Sequence, residues 1–565
     1  SEFLDPYGRN LAALTLTGPL IKKTETVEGF DYKRSVLGFF LSGEFDYQED
    51  SDPGARGVVS LRDGVLADLQ ETPLIFNTDG ENFLSRANFI RAEDIVYVDA
   101  KTQNEDQRIR VLGRLDFQPT DNIVMKLGGS YENITSDLWS TANMLFAPQG
   151  NSQFTGNSYR GWFRFQQNFK SAEGSLLKNL FYSLQADYSL YQRRFQDRVH
   201  KDNFFDYGYI GQFDFDIVPL YQYIDDPQSD VSSAPYWQVI GFGENNLRFD
   251  PSNSKNPLLA KYNEVIFDYV EENGVTNLLP GLFSNEPVVN NLTNLDELAF
   301  RGGLRNGDFP RSVYSLFSGV GSTPGSYTKF DFEQFRVTGQ ATAEIKGHNL
   351  KAGFEFEQRV ERFYSIGLRG GGSVWDLMRQ YTNFHLNNQE TDPNLFQYVI
   401  RNGEFQDTVF VPLQYSAGDQ TTFDRNLRAR LGLPIDGTER INIDGLPLET
   451  FSLDLFNADE LLNNGLGAVS YYGFDHLGNK TQTVAEGEFF TDLDNRPLNP
   501  FSPTYISAFI QDKFEFEDII FNVGLRVDRF DANQPVLKDN FSLYPTFSAA
   551  EAASGNLEKQ ILRRS

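Results

Sequence analysis

The 565 residues contain no cysteine, so neither a disulfide framework nor thiol chemistry is open to this chain. Histidine occurs four times, at His200, His348, His385 and His476, spaced too widely to suggest a His-based metal site. No apolar run reaches about 18 residues, which excludes helical membrane spans. The chain opens Ser1-Glu2-Phe3-Leu4-Asp5-Pro6, with neither the basic nor the apolar region of a signal peptide. Positive charge is in deficit: 50 Lys and Arg face 78 Asp and Glu, a net −28 that argues against nucleic acid as a partner. Arg301-Gly302-Gly303 and Arg369-Gly370-Gly371-Gly372 lack the strand–turn–helix context and the Lys of a phosphate loop and read as turns. No Ser, His and carboxylate constellation is placed together by the sequence, so we expect no enzyme.

Acid is concentrated in candidate loops, as at Glu49-Asp50-Ser51-Asp52 and Asp225-Asp226. A solvated, self-repelling surface accounts for this. The sharper alternative is calcium on loop carboxylates, since hard cations take oxygen ligands. Asp492-Leu493-Asp494-Asn495 has a suggestive spacing but lacks a full twelve-residue loop. No other cofactor is indicated.

What the chain does have is alternation. In the run 108–118, Ile109, Val111, Gly113, Leu115 and Phe117 fall on one face, with Arg108, Arg110, Arg114 and Asp116 on the other and Leu112 the exception. Pro119-Thr120-Asp121-Asn122 turns the chain, and 123–132 repeats the pattern. Eight further runs read alike: 11–21, 36–47, 159–169, 180–190, 335–345, 350–360, 504–514 and 519–528. Each is about ten residues, enough for a tilted strand to cross a bilayer core and longer than the usual globular strand. Short links (22–34, 118–122, 170–179, 346–349, 515–518) alternate with long ones (48–107, 133–158, 191–329, 361–503). That rhythm, with modest mean hydropathy and 51 Phe beside 26 Tyr, is the signature of an antiparallel transmembrane β-barrel with aromatic girdles. The bland reading, a soluble all-β sandwich or solenoid with long insertions, requires loops longer than about 15 residues at every second connection.

The long loops carry structure of their own. Helical spacing appears over 258–269, and short helices are expected at 296–301, 374–382 and 458–463, with Gly465 a stop. The run 205–215 still alternates and is expected to extend a strand beyond the membrane. Tyr236, Trp237, Trp375, Tyr471 and Tyr472 are candidate ligand contacts, although loop packing would use the same rings. Arg108, Arg110, Arg114, Arg160, Arg164 and Arg336 are candidate lumen residues.

Four segments taken in order resemble TonB-dependent outer-membrane transporters of the Bacteroidota type. They are NLAALTLTGPLIKK (10–23), VLGFFLSGEFDY (36–47), NLKAGFEFEQ (349–358) and SPTYISAFIQDKFEFEDIIFNVGLRVDRFDANQPV (502–536). In that family a Gly-Pro turn commonly ends the second strand, a Phe-rich third follows, and a mid-barrel hairpin carries the Gln-Asp and Gly-Leu-Arg patterns. The resemblance implies a barrel of about 22 strands with a plugged lumen in the outer membrane of a Gram-negative bacterium. Residues 1–565 would supply roughly its second to eleventh strands, without plug domain or terminal strands. It further implies active import of a substrate captured by the loops, with outer-membrane lipid, the protein's own plug domain and TonB as partners. A SusC-like subtype would add a SusD-like surface lipoprotein. The alternative is a structural or secretion-linked barrel scaffold without transport of its own, and substrate identity is beyond the sequence.

Overall fold

The computed structural model describes residues 8–27, 30–78, 82–171, 175–224, 236–273, 292, 294–387, 391–401, 404–412, 420–481, 484–485 and 487–534. All ten alternating runs are strands of one antiparallel sheet in sequential order. They are β1 (Asn10–Val27), β2 (Phe30–Gln48), β3 (Asp106–Thr120), β4 (Ile123–Leu138), β5 (Ser152–Asn168), β6 (Leu177–Gln196), β7 (Ser326–Ile345), β8 (His348–Gly367), β9 (Thr504–Phe516) and β10 (Ile519–Asp531). Each is longer than its alternating core, because hydrogen bonding continues past the apolar band; β6, β7 and β8 reach 20 residues. The five hairpins close where the short links were expected. At β7–β8, Lys346 and Gly347 both take positive φ, 47° and 87°, the hand a two-residue turn needs to match strand twist.

The register keeps the two faces separate across the whole sheet. One row runs Ile21, Leu37, Phe117, Met125, Phe165, Leu184, Gly339, Phe354, Ala508, Val527, each directly opposite the next. On the other face a row runs Asp116, Lys126, Arg164, Gln185, Thr338, Glu355, Ser507, Asp528. A slip of one residue between any pair would exchange the faces.

The apolar band also drifts along the ladder. In β1 it centres on Leu16, whose row passes through Leu41, Gly113, Gly129, Gly161, Tyr188, Phe335, Gln358 and Thr504 to Asp531. In β10 the band centres on Val523, eight residues from Asp531. At ~3.3 Å per residue and ~4.8 Å per strand, this is ~26 Å over ~43 Å, so a level band requires strands tilted by roughly 30°. Barrel strands tilt by a similar amount. The sheet itself is open: β1 and β10 each pair on one side only among the described residues.

The long connections fold against each other over two hydrophobic clusters. One joins Tyr207, Tyr209, Trp375, Phe423, Phe456 and Phe474 to the strand ends Tyr327, Tyr364 and Ile366. The second joins Leu61, Phe83, Phe146, Phe213, Leu259, Ile266 and Val320 from three separate loops. The expected helices occur as Pro257–Asn273, Leu295–Phe300, Val374–Tyr381 and Ala458–Leu462; the last stops at Asn463, left-handed at φ 39°, two residues before Gly465. The run 205–215 does not extend a barrel strand. Phe204–Asp206 is a 3-10 turn, and Gln212–Ile224 begins a separate four-stranded loop sheet with Tyr236–Asp250, Glu404–Pro412 and Thr391–Arg401. Its alternation serves burial among loops: Phe213 sits wholly inside the second cluster. Among the described residues no helix is long and apolar enough to cross a membrane.

Candidate functional site: the polar face of the sheet

Strand alternation places all six candidate arginines on one face, and the antiparallel register sets acids directly opposite three of them, Arg108, Arg110 and Arg336. Arg110 donates through Nε to Glu132 at 2.6 Å and through Nη1 to Glu44 at 3.2 Å, so one guanidinium staples β2, β3 and β4. Arg108 adds a longer contact, 3.7 Å, to Glu132. Arg114 donates to Asp116 in its own strand at 2.9 Å, and Lys126 approaches that carboxylate at 3.5 Å. Asp187 on β6 draws in Arg160 at 2.9 Å and Arg336 at 3.7 Å, while Arg336 also lies 3.9 Å from Glu355. Arg164 differs: its Nε donates to Gln185 at 2.6 Å, and no carboxylate lies within 4.0 Å among the described residues. On β10, Arg526 donates to Asp528 at 2.9 Å and to Ser507 at 3.0 Å. Apart from those on the buried Asp187, these pairs are partly exposed, so each contributes little to stability, on the order of 0–1 kcal/mol. They give the face a dense, interleaved pattern of donors and acceptors.

At mid-sheet the face holds a cavity of about 310 Å³, lined by Arg164, Gln166, Gln185, Gln340, Glu355, Ser507, Phe509 and Arg526. Trp162 lies flat over Gly128: a Cβ there would sit 2.5 Å from the indole, so only glycine admits the ring. The composition suits recognition of a polar group.

The loop candidates divide. Trp375 is wholly buried: its indole stacks on Tyr209 at 5.9 Å, meets Phe451 edge-on, and donates Nε1–H to the Tyr207 carbonyl at 3.2 Å. Tyr471 is buried too, its hydroxyl donating to the Arg496 carbonyl at 2.9 Å, and burial pushes that hydroxyl's pKa up. Both rings are consumed by loop packing, which corrects their expected exposure to ligand. Tyr472 is half-buried against Phe501, 4.4 Å between ring centres. Tyr236 and Trp237 begin the strand Tyr236–Asp250, where Trp237 pairs with Tyr223; their side chains lie outside the described residues.

The Asp492 carboxylate is engaged within its own turn, accepting from the Asn495 backbone and side-chain amides at 3.1 and 3.0 Å. Among the described residues no group of three or more His, Asp or Glu is arranged to hold a metal ion. Asp50, read from sequence as surface charge, is fully buried. It accepts from the Asp52 and Lys101 backbone N–H groups and from Asn104 at 2.6 Å, pinning both ends of the first long loop. Asp225 and Asp226 lie outside the described residues.

Sequence reasoning also missed the helix Thr422–Leu431. Its fully buried Asp424 and Arg428 pair at 2.8 Å beside His385, whose own buried imidazole lies 3.4 Å from Asp424. Burial lowers the His385 pKa and holds the ring neutral. The signal was present: Thr421 caps the helix by accepting the Asp424 N–H, and Gly432 ends it in the left-handed region.

No family model and no curated protein matches the chain. Among solved structures it is similar to the outer membrane transporter YddB from Escherichia coli, at 7% identity and TM-score 0.31, over 93% of this chain and 34% of that one. It is also similar to P. aeruginosa FpvA bound to heterologous pyoverdines, at 9% identity and TM-score 0.30, over 94% and 37% of the two chains. For the ferric citrate transporter FecA in its unliganded form the values are 9%, 0.22, 93% and 44%. The chain thus spans less than half the length of each of these proteins.

Proposed function

We propose that this chain is part of an outer-membrane β-barrel that imports a solute in a TonB-dependent manner. The carrying observation is the ten-strand antiparallel register, with one unbroken apolar face and one charged face. In lipid every backbone group must be paired, and closed barrels of alternating strands meet that demand. The apolar face then meets hydrocarbon, and the arginine-rich face lines a hydrated lumen. The open edges at β1 and β10 call for further strands to close the wall. The packed loops stand at the end where the long connections lie, the extracellular rim on this reading, and form a cap over the entrance. The motifs at 10–23, 36–47, 349–358 and 502–536 support TonB as the energy source and a plug domain within the lumen. We read the barrel as a transporter rather than an enzyme. A surface lipoprotein of SusD type and calcium on the loops are the further partners this reading admits.

The test is genetic. Deleting this gene and deleting tonB must produce the same growth defect on one member of a panel of sole iron, cobalamin, peptide and glycan sources. A defect that loss of TonB does not reproduce would overturn energised import in favour of a scaffold role.

A further inference from the structure

Arg164 is set apart from the other arginines of the polar face. Its neighbour Asp187 is taken by Arg160 and Arg336. Gln185 stands between them: it donates Nε2–H to Asp187 at 2.8 Å and accepts the Arg164 Nε–H at 2.6 Å. The amide is oriented by the acid, and in turn fixes one edge of the guanidinium. The other edge, Nη1 and Nη2, makes no hydrogen bond among the described residues, and the group borders the 310 Å³ cavity. Trp162 flanks it, with the guanidinium carbon 5.9 Å from the ring centre. Gln166, Gln340 and Ser507 supply amide and hydroxyl groups around the same space.

A guanidinium pinned through Nε presents its two remaining nitrogens as a planar fork, the match for the two oxygens of a carboxylate. We propose that the cavity at Arg164 is a receptor for a carboxylate group, bound bidentately by Nη1 and Nη2 and bordered by Gln166 and Gln340. The proposal rests on the reading of this face as the lumen wall. Glu355, the acid in the same cavity, stands three strands away, about 14 Å across the sheet, and is itself approached by Arg336. The carboxylate has two possible sources: a diffusible ligand, or an acidic side chain of the polypeptide that fills the barrel.

The test uses the unmodified protein, purified in detergent from outer membranes. Phenylglyoxal modification is followed arginine by arginine by peptide mass spectrometry, with succinate as probe and chloride at equal ionic strength as control. Arg160, already paired with Asp187, is the internal comparator. A diffusible ligand site gives saturable protection of Arg164, roughly tenfold for a fork of charge-assisted hydrogen bonds, and none at Arg160. A side-chain partner leaves Arg164 refractory with or without succinate, and opens it once the protein's carboxylates are neutralised with carbodiimide and glycinamide. If Arg164 reacts freely and succinate changes nothing, the receptor proposal is overturned. Failure of the underlying reading looks different: a lipid-soluble maleimide would then label Gln185→Cys in membranes in preference to Leu184→Cys.

Discussion

Leu115 and Arg114 are neighbours in β3 that point to opposite faces, which makes them a controlled pair for the facing assignment. Leu115 lies opposite Phe39 and Leu127, within two residues of the band centre at Gly113. Its side chain is 41% exposed on the apolar side. On the proposed reading that exposure is to hydrocarbon, where an arginine costs about 2–4 kcal/mol near mid-depth. Leu115→Arg is therefore expected to lower the folded-to-unfolded ratio by roughly thirtyfold to a thousandfold. Arg114→Leu removes one half-exposed pair with Asp116 at 2.9 Å, and Lys126 remains 3.5 Å from that carboxylate. An exposed pair of this kind is worth roughly 0–1 kcal/mol. The two substitutions should differ by at least ~1 kcal/mol, read as the folded fraction by heat-modifiable gel mobility across a urea series in membranes. Equal losses, or a larger loss from Arg114→Leu, would refute the assignment of faces.

Trp375→Ala should cost the loop core about 3–5 kcal/mol, since it leaves a large cavity among Tyr207, Tyr209 and Phe451. Limited proteolysis should then nick the loops while the gel mobility of the sheet is unchanged. Asp50→Ala should free the first long loop, appearing as new cleavage within 49–105, because three donors lose one buried acceptor. The loop core should also weaken with acid. Burial depresses the pKa of His385 and His476 below the ordinary 6.5, so the unfolded chain takes up protons first and stability falls as pH drops below about 6.5. The buried Glu244 and Glu460 have raised pKa values and act in the opposite sense, lower down, above the ordinary 4.5. Thermal melting of loop cleavage between pH 7 and 5.5 should show the histidine-driven fall. The double variant His385→Gln, His476→Gln should flatten it.

The ten strands were legible because period-two alternation over ten residues is a local signal, and the short and long links between the runs alternate with it. The strand ends were not, since pairing beyond the apolar band depends on partners such as Phe154 opposite Phe195, which no local pattern marks. The loop helices were legible where an apolar stripe exists, as at Pro257–Asn273. Thr422–Leu431 was not: Asp424, Arg425, Arg428 and Arg430 make it look solvated, and only the fold buries Asp424 with Arg428. The same long-range packing separates Trp375 from the surface role its type suggested, and turns the Gln212–Ile224 alternation inward to a second sheet. Six arginines were assigned to one face correctly by parity. That Asp187 would leave Arg164 without an acid depends on register across three strands, which a single sequence does not contain.

The central claim is that this sheet stands in a bilayer with Leu184 toward lipid and Gln185 toward a lumen. Because the chain has no native cysteine, single cysteines at each of the nine positions from Tyr182 to Leu190 give an unambiguous scan. In isolated outer membranes, a lipid-soluble pyrene maleimide should label with period two, at positions 182, 184, 186, 188 and 190. Uniform labelling, no labelling, or labelling in the opposite phase would contradict a transmembrane barrel with these faces.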